Sequence, residues 1–188
     1  VKFKKPEINI DAMREYKDKI VSRLNGGISQ MAKMRKVETL QGEASFISDT
    51  ELVVEQKDKE IMISFINCII ASGSSSSLIP GLPKNNSNIL TSKTALELEK
   101  IPPTLLVVGG GIIGLELGQV YASLGSKVTV VEYLPSLVPG ADTDLIKPLQ
   151  RKLTKQFERI LLSSKVVSVS ETKQNQLSVK IEDKNGIN

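Results

Sequence analysis

The chain is predicted to be an α/β protein: a parallel, helix-covered sheet in its second half and a helix followed by a small antiparallel meander in its first. Three observations carry this. Leu105 to Val108 is a continuous apolar run that ends in three glycines, after which the apolar residues fall at helical spacing. Residues 44 to 64 hold three short apolar or alternating runs separated by Ser-Asp and Lys-Asp turns. Between the halves lies SGSSSSLIPGLPKNNSN, residues 72 to 88, where composition changes sharply. Two units are therefore expected, residues 1–90 and 91–188.

Composition bounds the reading before any motif does. The 188 residues are 40% apolar and 24% charged, ordinary for a globular chain. The net charge of +4 comes from lysines scattered along the chain without interleaved aromatics, which argues for solvated faces and against a nucleic-acid surface. No apolar run is long enough to span a bilayer. The single cysteine excludes an internal disulfide framework, and the absence of histidine removes the commonest general base. The chain starts at Val1 and stops at Asn188 just after an Asp-Lys-Asn-Gly turn signal, so a piece of a longer protein is expected.

In chain order, Asn9 or Asp11 can cap a helix whose stripe runs Ile10, Met13, Ile20, Val21, Leu24, Ile28, Met31 and Met34. Gly26 and Gly27 leave one bent helix or two helices open. The Met-rich stripe is expected to be core. Residues 36–40, 44–47, 51–55 and 60–64 read as strands, the last three forming the meander. Residues 65–71 read as a buried strand, with Cys68 as a buried structural thiol. Thr91 or Ser92 caps a short helix to Leu98, which Pro102 and Pro103 close off. After Glu132 come a loop, a helix over 142–157 capped by Asp142 or Thr143, and a strand over 160–163. A hairpin then pairs 165–170 with 177–182 around Lys173-Gln174-Asn175.

The stretch from Thr104 to Glu132 states its own chemistry. Gly109, Gly111 and Gly114 stand at Gly-x-Gly-x-x-Gly spacing between a strand and a helix, and a second strand ends at Glu132. The first glycine permits the tight turn, the second lets a diphosphate reach the backbone, and the third lets the helix pack closely. A diphosphate then meets free N–H groups at the positive helix end. Glu132 follows Gly111 by 21 residues, the reach of an acid that hydrogen-bonds the adenosine ribose. The surroundings demanded of the motif are all present, so a Rossmann-like dinucleotide site is predicted.

Beyond that motif, LNGGISQMAKMRKVE at 24–38, QGEASF at 41–46, NCIIASGS at 67–74, SKTALELEKIP at 92–102 and GADTDLIKPLQ at 140–150 make the chain similar to the flavoprotein disulfide reductases, the lipoamide branch most closely. The resemblance implies an FAD-binding domain interrupted by an NAD-binding one, with FAD and NAD as cofactors. It implies that Ala44 meets the FAD adenine through its backbone and that Ser72, Gly73 and Ser74 lie at the flavin. It implies that Gly109, Gly110, Gly111, Ile112, Ile113, Gly114, Leu115 and Glu116 form the NAD diphosphate loop. Within this set Ile112 and Ile113 would lie against the nicotinamide, and Glu116 beside its ribose. Glu132 would hold the adenosine ribose, and Val166 would give a backbone contact to adenine. Ser72 and Ser76 stand where the family has Thr and Pro. Glu132 would repel a 2′-phosphate, and no arginine follows in 133–142, so NAD is expected rather than NADP.

The family's Cys-x4-Cys pair, its FAD glycine motif, its later FAD motif with an Asp and its His-Glu pair have no counterpart among these residues, so no catalytic residue is assigned. The parent implied by the resemblance is a homodimer of the bacterial cytoplasm or mitochondrial matrix. It would oxidise the dihydrolipoyl domain of a 2-oxo acid dehydrogenase complex through a disulfide and FAD to NAD. Two other readings stay open: an NADH oxidase or peroxidase-type flavoprotein, and a non-catalytic NAD-binding module. The isolated 188-residue chain is expected to bind NAD weakly at best and to form no NADH from dihydrolipoamide. A spectrophotometric assay at 340 nm showing turnover without added full-length enzyme would contradict the fragment reading.

Overall fold

A computed structural model describes residues 6–77, 79–83, 86–174 and 176–187. The chain divides into two compact units, one of Asp11–Ser74 and one of the described residues of Val1–Ile10 and Ser75–Asn188. Asn175 of the expected hairpin turn lies outside the described residues.

In the first unit, α1 runs unbroken over Ile10–Met34, so the two glycines neither break it nor split it. Its end is a left-handed cap. Lys36 has φ +56°, and the Val37 and Lys36 amides return to the Ala32 and Lys33 carbonyls. The expected strand at 36–40 does not form, and the chain reaches β1 as an irregular segment. β1 (Glu43–Phe46), β2 (Glu51–Gln56) and β3 (Lys59–Ser64) make an antiparallel sheet in the order β1-β2-β3, the meander read from the sequence. Its one buried apolar residue is Val54, and Phe46 meets Phe65 edge-on at 6.0 Å.

Two expectations here are corrected. The α1 stripe is not core: no α1 residue is buried, and Met31 and Met34 are exposed. An apolar stripe shows that a helix face prefers cover, but it does not identify the cover. Residues 65–71 form no strand either. Ile66, Ile69 and Ile70 are exposed, and so is Cys68, which is therefore not a buried thiol. A continuous apolar run becomes a central strand only when neighbouring strands take up its backbone groups, and none does so among the described residues.

The second unit is built on a parallel sheet of β4 (Thr104–Val108), β5 (Lys127–Val131) and β6 (Arg159–Leu161), in the order β4-β5-β6. Helix α3 (Ile112–Ser123) crosses from β4 to β5, and α4 (Thr143–Gln156) from β5 to β6. This is one mononucleotide-binding half of a doubly wound sheet. The central strand β5 buries Val128, Val130 and Val131. β4, whose continuous apolar run reads as a buried parallel strand, is only half-buried, with Val108 exposed, because among the described residues it pairs on one edge alone.

Short α2 (Ser92–Ala95) precedes β4 and carries a capping box in which Thr91 and Thr94 satisfy each other's amides. It stops before the expected Leu98. An antiparallel sheet of β7 (Lys165–Glu171), β8 (Leu177–Asp183) and β9 (Gly186–Ile187) follows β6. Among the described residues no helix is long and apolar enough to cross a membrane.

The core lies where α3 and α4 cover the parallel sheet: Leu115, Tyr121, Val128, Val130, Leu137, Ile146, Leu153 and Phe157. Gly118 makes this closeness possible, since a Cβ there would stand 3.2 Å from the Phe157 ring. Tyr121 is 1% exposed, and its hydroxyl donates to the Ala95 carbonyl at 2.8 Å, tying α3 to α2. Burial pushes its phenol pKa up, which keeps it a donor. Tyr121→Phe should leave that carbonyl unpaired and cost about 1–3 kcal/mol in equilibrium unfolding. An unchanged unfolding midpoint would show that the hydroxyl carries no stability.

Candidate dinucleotide-binding site

The turn out of β4 is made by Gly109 at φ +106°, a conformation that disfavours any side chain, with its amide donating to Val131 O at 2.8 Å. Gly111 caps α3 in an extended conformation without a side-chain cap bond, and Leu115 N–H returns to Gly111 O at 3.1 Å. The N–H groups of Ile112, Ile113 and Gly114 open the helix and so lack intrahelical acceptors. A Cβ at Gly109 or Gly111 would meet nothing within 4 Å, so the backbone there faces open space. A Cβ at Gly114 would stand 2.5 Å from Gly109 O and 3.0 Å from Val107 Cγ1, so the third glycine is needed for packing.

Glu132 closes the site from the tip of β5. The residue is 7% exposed, and each carboxylate oxygen accepts one backbone amide. Oε2 takes Gly110 N–H at 2.6 Å and Oε1 takes Leu134 N–H at 2.7 Å. Its own peptide groups are bonded across the sheet edge, N–H to Leu161 O and C=O from Ser164 N–H. A carboxylate oxygen has capacity for further donors, so ribose hydroxyls can add to those already present.

The structure thus joins Gly110 to Glu132 and packs Gly114 on Gly109. Leu115 is buried beneath them, while Ile112, Ile113 and Glu116 are exposed on the first turn of α3. Val166 is half-buried in β7 beside a register shift, next to Lys165, whose ammonium pairs with Glu182 at 2.8 Å. The hydrogen bond and charge of Glu182 hold that ammonium above its ordinary pKa. In the first unit, Ala44 is exposed on β1 opposite Val54, and Ser72, Gly73 and Ser74 are exposed in an irregular segment with Gly73 at φ +72°.

The sequence reading passed over the loop after Glu132. Leu134 donates to the carboxylate, Val138 N–H donates to Gly110 O at 2.9 Å, and Leu137 is fully buried against Gly110. Two of these contacts use backbone atoms, which leave no mark on residue type. The only signal is an apolar Leu137 inside a Pro- and Ser-bearing loop.

A strand, glycine turn, helix and strand ending on a buried carboxylate define a dinucleotide-binding βαβ unit. Residues 2–188 match the pyridine nucleotide-disulphide oxidoreductase family, and the chain belongs to it. It is 40% identical over 184 residues to dihydrolipoyl dehydrogenase of Vibrio parahaemolyticus, covering 98% of this chain and 38% of that one. It is 38% identical over 170 residues to mitochondrial dihydrolipoyl dehydrogenase 2 of Arabidopsis thaliana, covering 90% and 34%. The chain therefore spans well under half the length of these relatives.

Among solved structures, the HOCl-induced flavoprotein disulfide reductase RclA of Escherichia coli superposes with a TM-score of 0.76 at 25% identity, covering 93% of this chain and 39% of that one. LpdA of Mycobacterium tuberculosis shares the fold with a TM-score of 0.82 at 21% identity, covering 96% and 40%. Family membership implies FAD and pyridine-nucleotide binding. The open backbone at Gly109 and Gly111 and the spare acceptor capacity of Glu132 fit the nucleotide.

Glu132→Gln would remove the charge and set an amide N–H2 against one of the two backbone donors, Gly110 N–H or Leu134 N–H, that the carboxylate satisfies together. Titrating NAD into the holoenzyme should show affinity reduced by about tenfold or more, as expected for a lost charge-assisted contact. Native affinity in this variant would remove Glu132 from the site.

Proposed function

We propose that this chain is the part of a dihydrolipoyl dehydrogenase that binds NAD and some of its FAD. The observation that carries the choice of branch is 40% identity spread over 98% of the chain to an enzyme of that name. The whole protein would oxidise dihydrolipoyl groups of a 2-oxo acid dehydrogenase complex. It would act as a homodimer in the bacterial cytoplasm or mitochondrial matrix. Residues 91–188 would serve as the NAD-binding domain and residues 1–90 as part of the FAD-binding domain, with Ala44, Ser72, Gly73 and Ser74 on the flavin side. When bound, FAD and NAD would supply the two-electron redox chemistry, with this chain's residues holding the nucleotide in place.

The chain's own residues would bind and orient. The free N–H groups opening α3 would hold the diphosphate, aided by the positive end of the helix. Glu132 accepts two amides already, and its remaining lone pairs suit the two hydroxyls of an adenosine ribose. A 2′-phosphate there would place charge against a buried carboxylate, so NADP is disfavoured. Val166 would offer its backbone to adenine. The exposed apolar Ile112 and Ile113 would cover the nicotinamide, with Glu116 beside its ribose. Catalysis at this end is positional.

The test is the holoenzyme's rate of pyridine-nucleotide reduction by dihydrolipoamide, with NAD and with NADP. The proposal expects flavin-dependent NADH formation and a preference for NAD of roughly a hundredfold or more, as for a charge placed against a like charge in a buried site. NADP preference would contradict the role of Glu132. Peroxide- or oxygen-driven NADH consumption without dihydrolipoamide turnover would move the chain to the oxidase and peroxidase branch.

A further inference from the structure

We infer that residues 134–138 form a fixed strap and that its buried side chain, Leu137, is a positioning residue for the diphosphate loop, acting through Gly110. The inference rests on the nucleotide reading of that loop. Gly110 is not one of the three motif glycines, yet both of its peptide groups are engaged. Its N–H donates to Glu132 Oε2 at 2.6 Å, and its C=O accepts Val138 N–H at 2.9 Å. A residue held at both ends cannot turn its amide toward a ligand. Gly110 is therefore a structural contact of the loop, and phosphate recognition falls to the amides that follow it.

The lack of a side chain at Gly110 is equally consequential. A Cβ there would stand 2.6 Å from Leu137 Cδ2 and 3.2 Å from Glu132 Cβ. Leu137 is 0% exposed and belongs to the core cluster, so its methyl cannot swing into solvent to make room. The strap behind it is tied down at several points. Leu134 N–H reaches Glu132 Oε1, Leu134 O accepts Ser163 N–H at 3.0 Å, and Ala141 N–H returns to Val138 O at 3.1 Å.

Val138 shows how strongly the geometry is imposed. It is β-branched and sits at φ +47°, a left-handed conformation such residues avoid. Strain of this kind persists where the surroundings over-determine it. Here it aims the Val138 amide at Gly110. The packing of Leu137 thus sets the loop before any nucleotide arrives, without touching the nucleotide.

The test compares holoenzyme carrying Leu137→Ala, Leu137→Met, Gly110→Ala and the double variant Gly110→Ala/Leu137→Ala. NAD affinity, KM against kcat, and hydrogen exchange of the peptide spanning 108–115 without nucleotide would be measured. Leu137→Ala should raise KM for NAD about tenfold with kcat changed less than twofold, and should speed exchange in that peptide, as expected for a displaced binding group. Leu137→Met, which keeps the volume, should bind as the parent does. Gly110→Ala should bind NAD poorly, and the double variant should recover part of that loss.

Unchanged exchange and affinity in Leu137→Ala would overturn the strap while leaving the nucleotide reading intact. Additive losses in the double variant would also overturn it. Faster exchange in a holoenzyme that binds no NAD would support the strap and sink the nucleotide reading.

Discussion

A buried carboxylate is costly unless its oxygens find donors, and the second unit is arranged around meeting that demand at Glu132. One oxygen draws in the glycine turn through Gly110, the other the following loop through Leu134. The residue's peptide groups meanwhile bond to Leu161 and Ser164 at the edge of the parallel sheet. The glycine turn, the loop that directly follows Glu132 and the corner between β6 and β7 therefore converge on one residue. Removing the carboxylate would release the glycine turn and the following loop together, an effect separate from any direct contact with a ribose.

The glycines extend the same constraint into packing. Gly114 brings α3 down onto Gly109 and Val107, and Gly118 brings it against Phe157 and Val128. The helix sits low enough for its first amides to face the space above Gly111. Leu115 and Tyr121 then fill the interior beneath, and Leu137 seals the loop from behind. Core and site are one construction here. The apolar contacts that stabilise the second unit are those that hold the opening amides of α3 in place.

Much of this was legible from residue types. The glycine spacing, the switch from a continuous apolar run to helical periodicity, and the acid at the strand end located the βαβ unit and its central residues. The meander was readable because Ala44 to Ser64 carry short runs separated by turn residues. What failed shares one cause. The stripe on α1, the run at 65–71 and Cys68 were read as buried from apolar character alone, yet burial depends on a partner surface that periodicity cannot supply. The strand expected at 36–40 failed in the same way, after a left-handed Lys36 cap that no residue preference announced. The strap over Gly110 escaped because it is made largely by backbone amides. A backbone donor is the same at every residue except proline.

In the proposed site, Glu132 and the opening turn of α3 would hold one nucleotide between them. The most direct measurement is a crystal structure of the holoenzyme with NAD bound. The diphosphate is expected within hydrogen-bond distance of the Ile112 and Ile113 amides, with an adenosine ribose hydroxyl on the Glu132 carboxylate and Gly110 still bonded to Glu132. A diphosphate seated elsewhere, or a Glu132 side chain that swings away from Gly110 when NAD binds, would contradict the proposed site.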